Sequence, residues 1–184
     1  MFTTRRIFAA ARLYRARGLR MTGLGVIALV AAGIAASATA LERLPVLSLE
    51  AAEKAASACR QLAAQKAWRM NIAVVDAGAN PILFQRMDAA FLGSGDIAMR
   101  KAKASAGTPF PTRVFEELSF GKDHKGGGAM PGLALAPGVL SIPGGLPIKV
   151  GDVPVGAIGV SGSMPDNDES CAQAGLDAIK DLLK

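Results

Sequence analysis

The chain has 184 residues, 51% of them hydrophobic and 20% charged, with 21 Lys+Arg against 15 Asp+Glu. That size and balance suit one compact domain and exclude an acidic disordered tail and a multi-span membrane protein. The net charge of +6 sits wholly in the first forty residues, which hold six arginines (Arg5, Arg6, Arg12, Arg15, Arg17, Arg20) and no acid, so residues 41–184 are formally neutral and offer nucleic acid no basic footprint.

Residues 1–40 read as an export signal peptide. A basic stretch is followed by an uncharged run over 21–36 and by small residues at Ala38 and Ala40 that form an A-x-A cleavage site. Thr4-Arg5-Arg6-Ile7-Phe8 resembles the twin-arginine signal, which exports folded proteins. The alternative is a retained membrane anchor, since residues 21–41 give 21 uncharged positions, barely enough to span a bilayer. Many of those positions are Ala or Gly, whose burial gains little, and this favours cleavage. The domain at 41–184 is then periplasmic or secreted, with membrane contact only if the leader is retained. In an oxidising compartment Cys59 and Cys171 are either bridged or remain two small buried apolar groups.

Ser48 is placed to cap a helix running to about Ala67, with Glu50 and Glu53 near its start and Leu49, Ala52, Ala56, Cys59, Leu62 and Ala63 at helical spacing. Residues 71–77 and 82–87, separated by Gly78-Ala79-Asn80-Pro81, predict a hairpin. A helix from Ser94 to Ala106 follows, then breaks at Pro109 and Pro111 and a short helix opened by Thr112. Residues 121–138 are too rich in Gly and Pro for regular structure, and a connection of that length points to a functional loop. Strands are predicted at 139–142, 146–150 and 155–161, antiparallel because their connections are tight, and the chain ends in a helix from Asp168 to Leu183. The order α-β-β-α-α-β-β-β-α specifies an α+β domain with a five-stranded, mostly antiparallel sheet flanked by helices.

The inventory of reactive groups is short. His124 is the only histidine, so a two-histidine metal site within one chain is excluded, and no H-E-x-x-H, CxxC, P-loop or G-x-S-x-G pattern occurs. Ser161 and Ser163 end a strand, but nothing in the spacing brings His124 to either as a base. The glycines at 156, 159 and 162 admit either close backbone packing or a flat ligand beside the sheet. Asp166, Asp168 and Glu169 read as helix-capping acids rather than as a cation site.

The segment Ile142-Pro143-Gly144-Gly145-Leu146-Pro147-Ile148-Lys149-Val150-Gly151-Asp152-Val153-Pro154-Val155-Gly156-Ala157-Ile158-Gly159-Val160-Ser161-Gly162 resembles the signature of the GlcG/HbpS-like haem-binding family. Further matches are Ala73-Val74-Val75-Asp76-Ala77-Gly78, Arg86-Met87-Asp88, and Arg100-Lys101-Ala102-Lys103-Ala104-Ser105-Ala106, which is similar to the family's K-A-x-T-A stretch. The similarity runs in order from about residue 46 to the C-terminus. It implies a profilin-like domain, homo-oligomers, and binding of haem or a related tetrapyrrole, with haem breakdown attached to some members.

Without the leader, and hence without Tyr14, the axial donors are His124, Cys59, Cys171 and the methionines at 70, 87, 99, 130 and 164. His124 leads this set as the metal ligand. Lys122 and Lys125 flank it among glycines, where they can meet propionates, and the competing account is an exposed loop histidine between solvated charges. Lys101 is the helix lysine aimed at an anionic group, set against an ordinary solvated helix face. The leading expectation is an exported, oligomeric haem-binding or haem-handling protein, in which the sheet and the Gly-rich loop form an apolar slot. Two rivals stand beside it: an accessory enzyme on a small organic acid or aromatic metabolite, using Lys101 or His124 as acid/base, and a ligand-free oligomeric interaction protein.

Overall fold

Ser48 accepts the Ala51 amide at 3.1 Å and opens α1 (Leu49–Gln65), as its sequence position predicts. The computed structural model describes residues 44–122 and 127–184, all within one unit, Leu44–Lys184. The export segment at 1–40 lies outside the described residues, as do His124 and Lys125. After α1 come β1 (Asn71–Asp76), β2 (Pro81–Arg86), α2 (Ser94–Gly107), α3 (Thr112–Phe120), a 3-10 turn (Pro131–Leu135), β3 (Gly145–Val150), β4 (Val153–Ser161), α4 (Pro165–Ile179) and a final 3-10 turn (Lys180–Leu182). None of these helices is long and apolar enough to cross a membrane.

The sheet has four strands in the order β2-β1-β4-β3, every pair antiparallel. The fifth strand expected at 139–142 is absent. Gly138 takes a left-handed φ of +78°, Val139 N–H closes a turn on the Ala136 carbonyl, and the Ser141 hydroxyl lies 3.0 Å from that of Ser119 on α3. Four residues between that turn and Pro143 are thus held by turn and side-chain contacts with no partner strand. The predicted α+β architecture stands with one strand fewer.

Strand alternation divides the core into two unequal layers. Ile72 and Val74 of β1 and Ile158 and Val160 of β4 face α1 and α4, together with Leu146 and Ile148 of β3, in the larger cluster. Ala73, Val75 and Ala157 face Ala98, Ala102 and Ala106 of α2. On this second side a β carbon added at Gly159 would collide with the Ala98 carbonyl and the Ala102 amide, and one at Gly145 with the Lys101 carbonyl and the Thr112 side chain. Helix α2 therefore rests directly on sheet backbone. Beside Gly145 and Gly159 the close-packing alternative holds, because α2 and the neighbouring main chain occupy the space a flat ligand would need.

Cys59 and Cys171, both fully buried, are joined by a disulfide that ties α1 to α4. In the hairpin turn, Asp76 accepts the Asn80 backbone amide at 2.8 Å and its side-chain amide at 3.2 Å, and these bonds hold the carboxyl below its ordinary value of 3.8. A folded value below the unfolded one gives stability that is present above pH 3.8 and lost as pH falls through the folded value. The Asn80 amide resonance is accordingly expected to titrate with a midpoint below 3.8. A midpoint at or above it would contradict the turn geometry.

Candidate functional site

Helix α2 carries an inward stripe of Ala98, Lys101, Ala102 and Ser105, so one lysine stands in a row of small buried residues. Lys101 has no exposed surface. Its Nζ donates to Asp168 Oδ2 at 2.7 Å and to the Val160 carbonyl at 2.9 Å. Asp168 Oδ1 accepts the Ser163 amide at 3.0 Å. Gly144, at φ +118°, lies directly against the pair: a β carbon there would stand 2.8 Å from Lys101 Nζ and from Asp168 Cβ. Burial pushes the Lys101 ammonium down and the Asp168 carboxyl up, and each is partly restored by the other's charge.

These positions revise two expectations. Lys101 is not on a solvated helix face, which Lys103 occupies, and the anionic group it meets belongs to its own chain. The acids at the start of α4 do not serve mainly as caps. Helix α4 begins at Pro165, earlier than expected, and its N-cap Met164 makes no side-chain capping bond. Asp168 instead holds Lys101, while Asp166 and Glu169 receive Arg113 of α3, each at 2.5 Å. Partial burial works against the charge on Arg113, yet the two carboxylates hold its guanidinium above its ordinary value. Among the described residues no group of three or more acid, cysteine or histidine side chains is placed to hold a metal ion.

Asp168 and Arg113 were not picked out as a network by sequence reading. The phase of Lys101 with Ala98, Ala102 and Ser105 was a signal of burial that the sequence reading did not use, and a buried lysine requires an acid. Nothing in the spacing said which acid.

From this buried anchor α3 leads outward to the Gly-rich segment. Gly145 N–H donates to Thr112 Oγ1 at 2.9 Å, fixing the start of α3 on the edge strand. At its other end Gly121 N–H donates to the Glu117 carbonyl and Met130 N–H to the Leu118 carbonyl, so the chain leaves and returns on the same turn of α3. Lys122 is exposed at this root. Phe120, Met130 and Leu135, on α3 and on the 3-10 turn packed against it, are open to solvent, Leu135 at 88%, and Phe110 is exposed just before the other end of the helix. Apolar surface grouped in this way on a small domain marks a ligand or partner site more often than chance exposure. The structure thus brings Lys122 to an apolar surface, removes Lys101 to the core, and leaves His124 and Lys125 outside the described residues.

At the opposite edge of the sheet a cleft of about 800 Å³ opens between the end of α1 and the end of β2, lined by Arg60, Arg69, Gln85, Arg86, Met87 and Asp88 among others. Sequence reading noted Arg86-Met87-Asp88 only as a family match and did not assemble this cleft, whose arginines are up to 26 residues apart in the chain.

Comparison with known proteins agrees with this architecture. A 15.0 kDa protein of Citrobacter freundii encoded in the dhaT-dhaS intergenic region is 31% identical over 143 residues, covering 77% of this chain and 97% of that one. The crystal structure of a double mutant of Streptomyces reticuli HbpS is 31% identical and superposes with a TM-score of 0.67, covering 93% of this chain and 99% of that one. A crystal structure of PduOC in complex with heme shares the fold, at 24% identity and a TM-score of 0.65, over 73% of this chain and 96% of that one. The family described as haem degrading protein HbpS-like matches residues 47–177, and the chain belongs to that family.

Proposed function

We propose that the protein is an exported, homo-oligomeric binder of haem or a related tetrapyrrole, with the ligand seated on the apolar surface at the root of the Gly-rich segment. The observation that carries this reading is the exposure of Phe120, Met130 and Leu135 on α3 and on the 3-10 turn packed against it, with Lys122 exposed two residues beyond Phe120. A planar macrocycle with two carboxylates needs an apolar bed and cations at its rim, and this surface supplies both. Three residues of chain, which span at most about 11 Å, separate His124 in the sequence from Gly121, whose N–H is bound to α3. His124 is the proposed axial ligand and Lys122 and Lys125 the proposed propionate partners. Bound there, haem would supply a ligand-tunable iron centre.

Family membership and the heme complex of the PduOC relative support the ligand class. The Cys59–Cys171 disulfide supports residence in an oxidising compartment, periplasmic or secreted, consistent with cleavage of residues 1–40. The enzyme reading with Lys101 as acid/base finds no support, because that ammonium is enclosed and engaged. Titrating haemin into the purified protein is expected to give a Soret band distinct from that of free haemin, with an affinity loss of tenfold or more in His124→Ala. A spectrum identical to free haemin removes the binding proposal. An unaltered spectrum in His124→Ala removes the ligand assignment.

A further inference from the structure

The two edges of the sheet differ in what they offer another strand. Met87 N–H donates to the Met70 carbonyl, and alternation along the antiparallel ladder makes Ile72–Gln85 and Val74–Leu83 the next bonded pairs. The N–H and C=O of Phe84 and Arg86 therefore point away from β1, and among the described residues nothing pairs with them. At the other edge Val160 N–H donates to the Gly144 carbonyl, so Gly145 and Pro147 of β3 are the outward positions. Thr112 takes the Gly145 N–H, and Pro147 has none to give. In β2 the devices that blunt an edge are confined to its start, where Pro81 and the bulged Ile82 precede a regular stretch from Leu83 to Met87. Apolar surface stands beside that stretch. Phe84, Phe91 and Leu92 are exposed, and the Asn71 side chain, on the same face as Phe84 and Arg86, holds the loop of Phe91 through Ser94.

We infer that a second copy of the chain occupies the β2 edge, the two β2 strands running antiparallel about a two-fold axis at Gln85. This inference rests on the homo-oligomeric reading above and names its interface. An axis at Gln85 sets Phe84 opposite Arg86 of the partner subunit and joins the outward main-chain groups of both, while Leu83 meets Met87 of the partner subunit on the other face. An axis at Phe84 would set Arg86 against the bulged Ile82, and one at Arg86 would set two guanidiniums face to face. Charge complementarity selects the same register. Among the described residues Arg86 has no carboxylate partner, and Asp96 is exposed and held only by Arg100 at 3.9 Å. A β carbon added at Gly95, the residue before Asp96, would stand 3.3 Å from the Phe84 ring. A guanidinium laid over Phe84 is thus directed toward Asp96, once in each copy, and gains the ring face as well. Because Thr112 and Pro147 close the β3 edge, pairing through sheet edges ends at two copies.

The test combines disulfide trapping with sedimentation velocity of the purified protein over a range of concentrations. Directly opposed, non-bonded residues of an antiparallel pair have α carbons about 4.5 Å apart, within disulfide reach. Gln85→Cys is therefore expected to give a covalent dimer on mild oxidation, whereas Lys103→Cys, exposed on α2, is expected to give none. Arg86→Glu is expected to weaken dimerisation about tenfold or more, and Arg86→Glu combined with Asp96→Arg to regain most of that loss. An oligomeric protein in which Gln85→Cys is not trapped, or in which Arg86→Glu assembles as the wild type does, overturns this interface and leaves the homo-oligomeric reading standing. A wild type that sediments as a monomer at every concentration overturns both. Failure of the paired charge reversal to restore assembly overturns the contact between Arg86 and Asp96.

Discussion

Replacing Lys101 with methionine is expected to lower the unfolding free energy by about 3–5 kcal/mol, the cost of leaving a buried carboxylate without its counter-charge. Asp168 is 2% exposed and has nowhere to recover hydration once the ammonium is gone. The Val160 carbonyl loses a donor in the same step. The double change Lys101→Met with Asp168→Asn should regain more than half of that loss, because a neutral amide still accepts the Ser163 N–H while no charge remains to be solvated. Urea unfolding of the wild type, the single variant and the double variant measures both terms. A single variant as stable as the wild type would show that the pair contributes nothing, and a double variant no better than the single would show that packing, not charge, is what Lys101 supplies.

The second large effect concerns the disulfide. Removing it, by Cys59→Ala with Cys171→Ala or by reduction, is expected to cost about 2–5 kcal/mol and to lower the melting temperature on the order of 10 °C. The bridge closes a loop of 112 residues, so it restricts most of the unfolded domain. It also sits where side-chain burial is thin. Helices α1 and α4 meet through Ala52, Ala55, Ala56, Ala63, Ala172 and Gly175, and each contributes little apolar area. Thermal unfolding with and without reductant checks this. A melting temperature insensitive to reductant, in protein shown by mass to be bridged beforehand, would contradict it.

Sequence reading recovered elements whose signals are local. The Ser48 cap, the hairpin at Gly78-Ala79-Asn80-Pro81, and the antiparallel pairing of β3 with β4 each follow from a few neighbouring residues. The strand expected at 139–142 failed because a short apolar run specifies a strand only when a partner edge is present, and that is a property of the whole sheet. The same limit applied to the site. That Lys101 lay on a small-residue face was legible, but its pairing with Asp168, 67 positions away, depended on how α4 is set against α2. The glycines at 145 and 159 announced close approach without saying whether a ligand or the chain itself would approach. The cleft was the least legible of all, because its three arginines come from separate parts of the chain and only Arg86 lay in a stretch that sequence reading had singled out.

Direct seating of α2 on the peptide planes of β3 and β4 has a mechanical consequence. Side chains between a helix and a sheet ordinarily form a compliant layer that absorbs small displacements, and here that layer is thin, made mostly of alanines and absent at Gly145 and Gly159. A force applied to the solvent side of α2 would pass with little damping into β4, and through the Val160 carbonyl and the Lys101–Asp168 link into the first turn of α4. The two helical faces are therefore coupled as one stiff body.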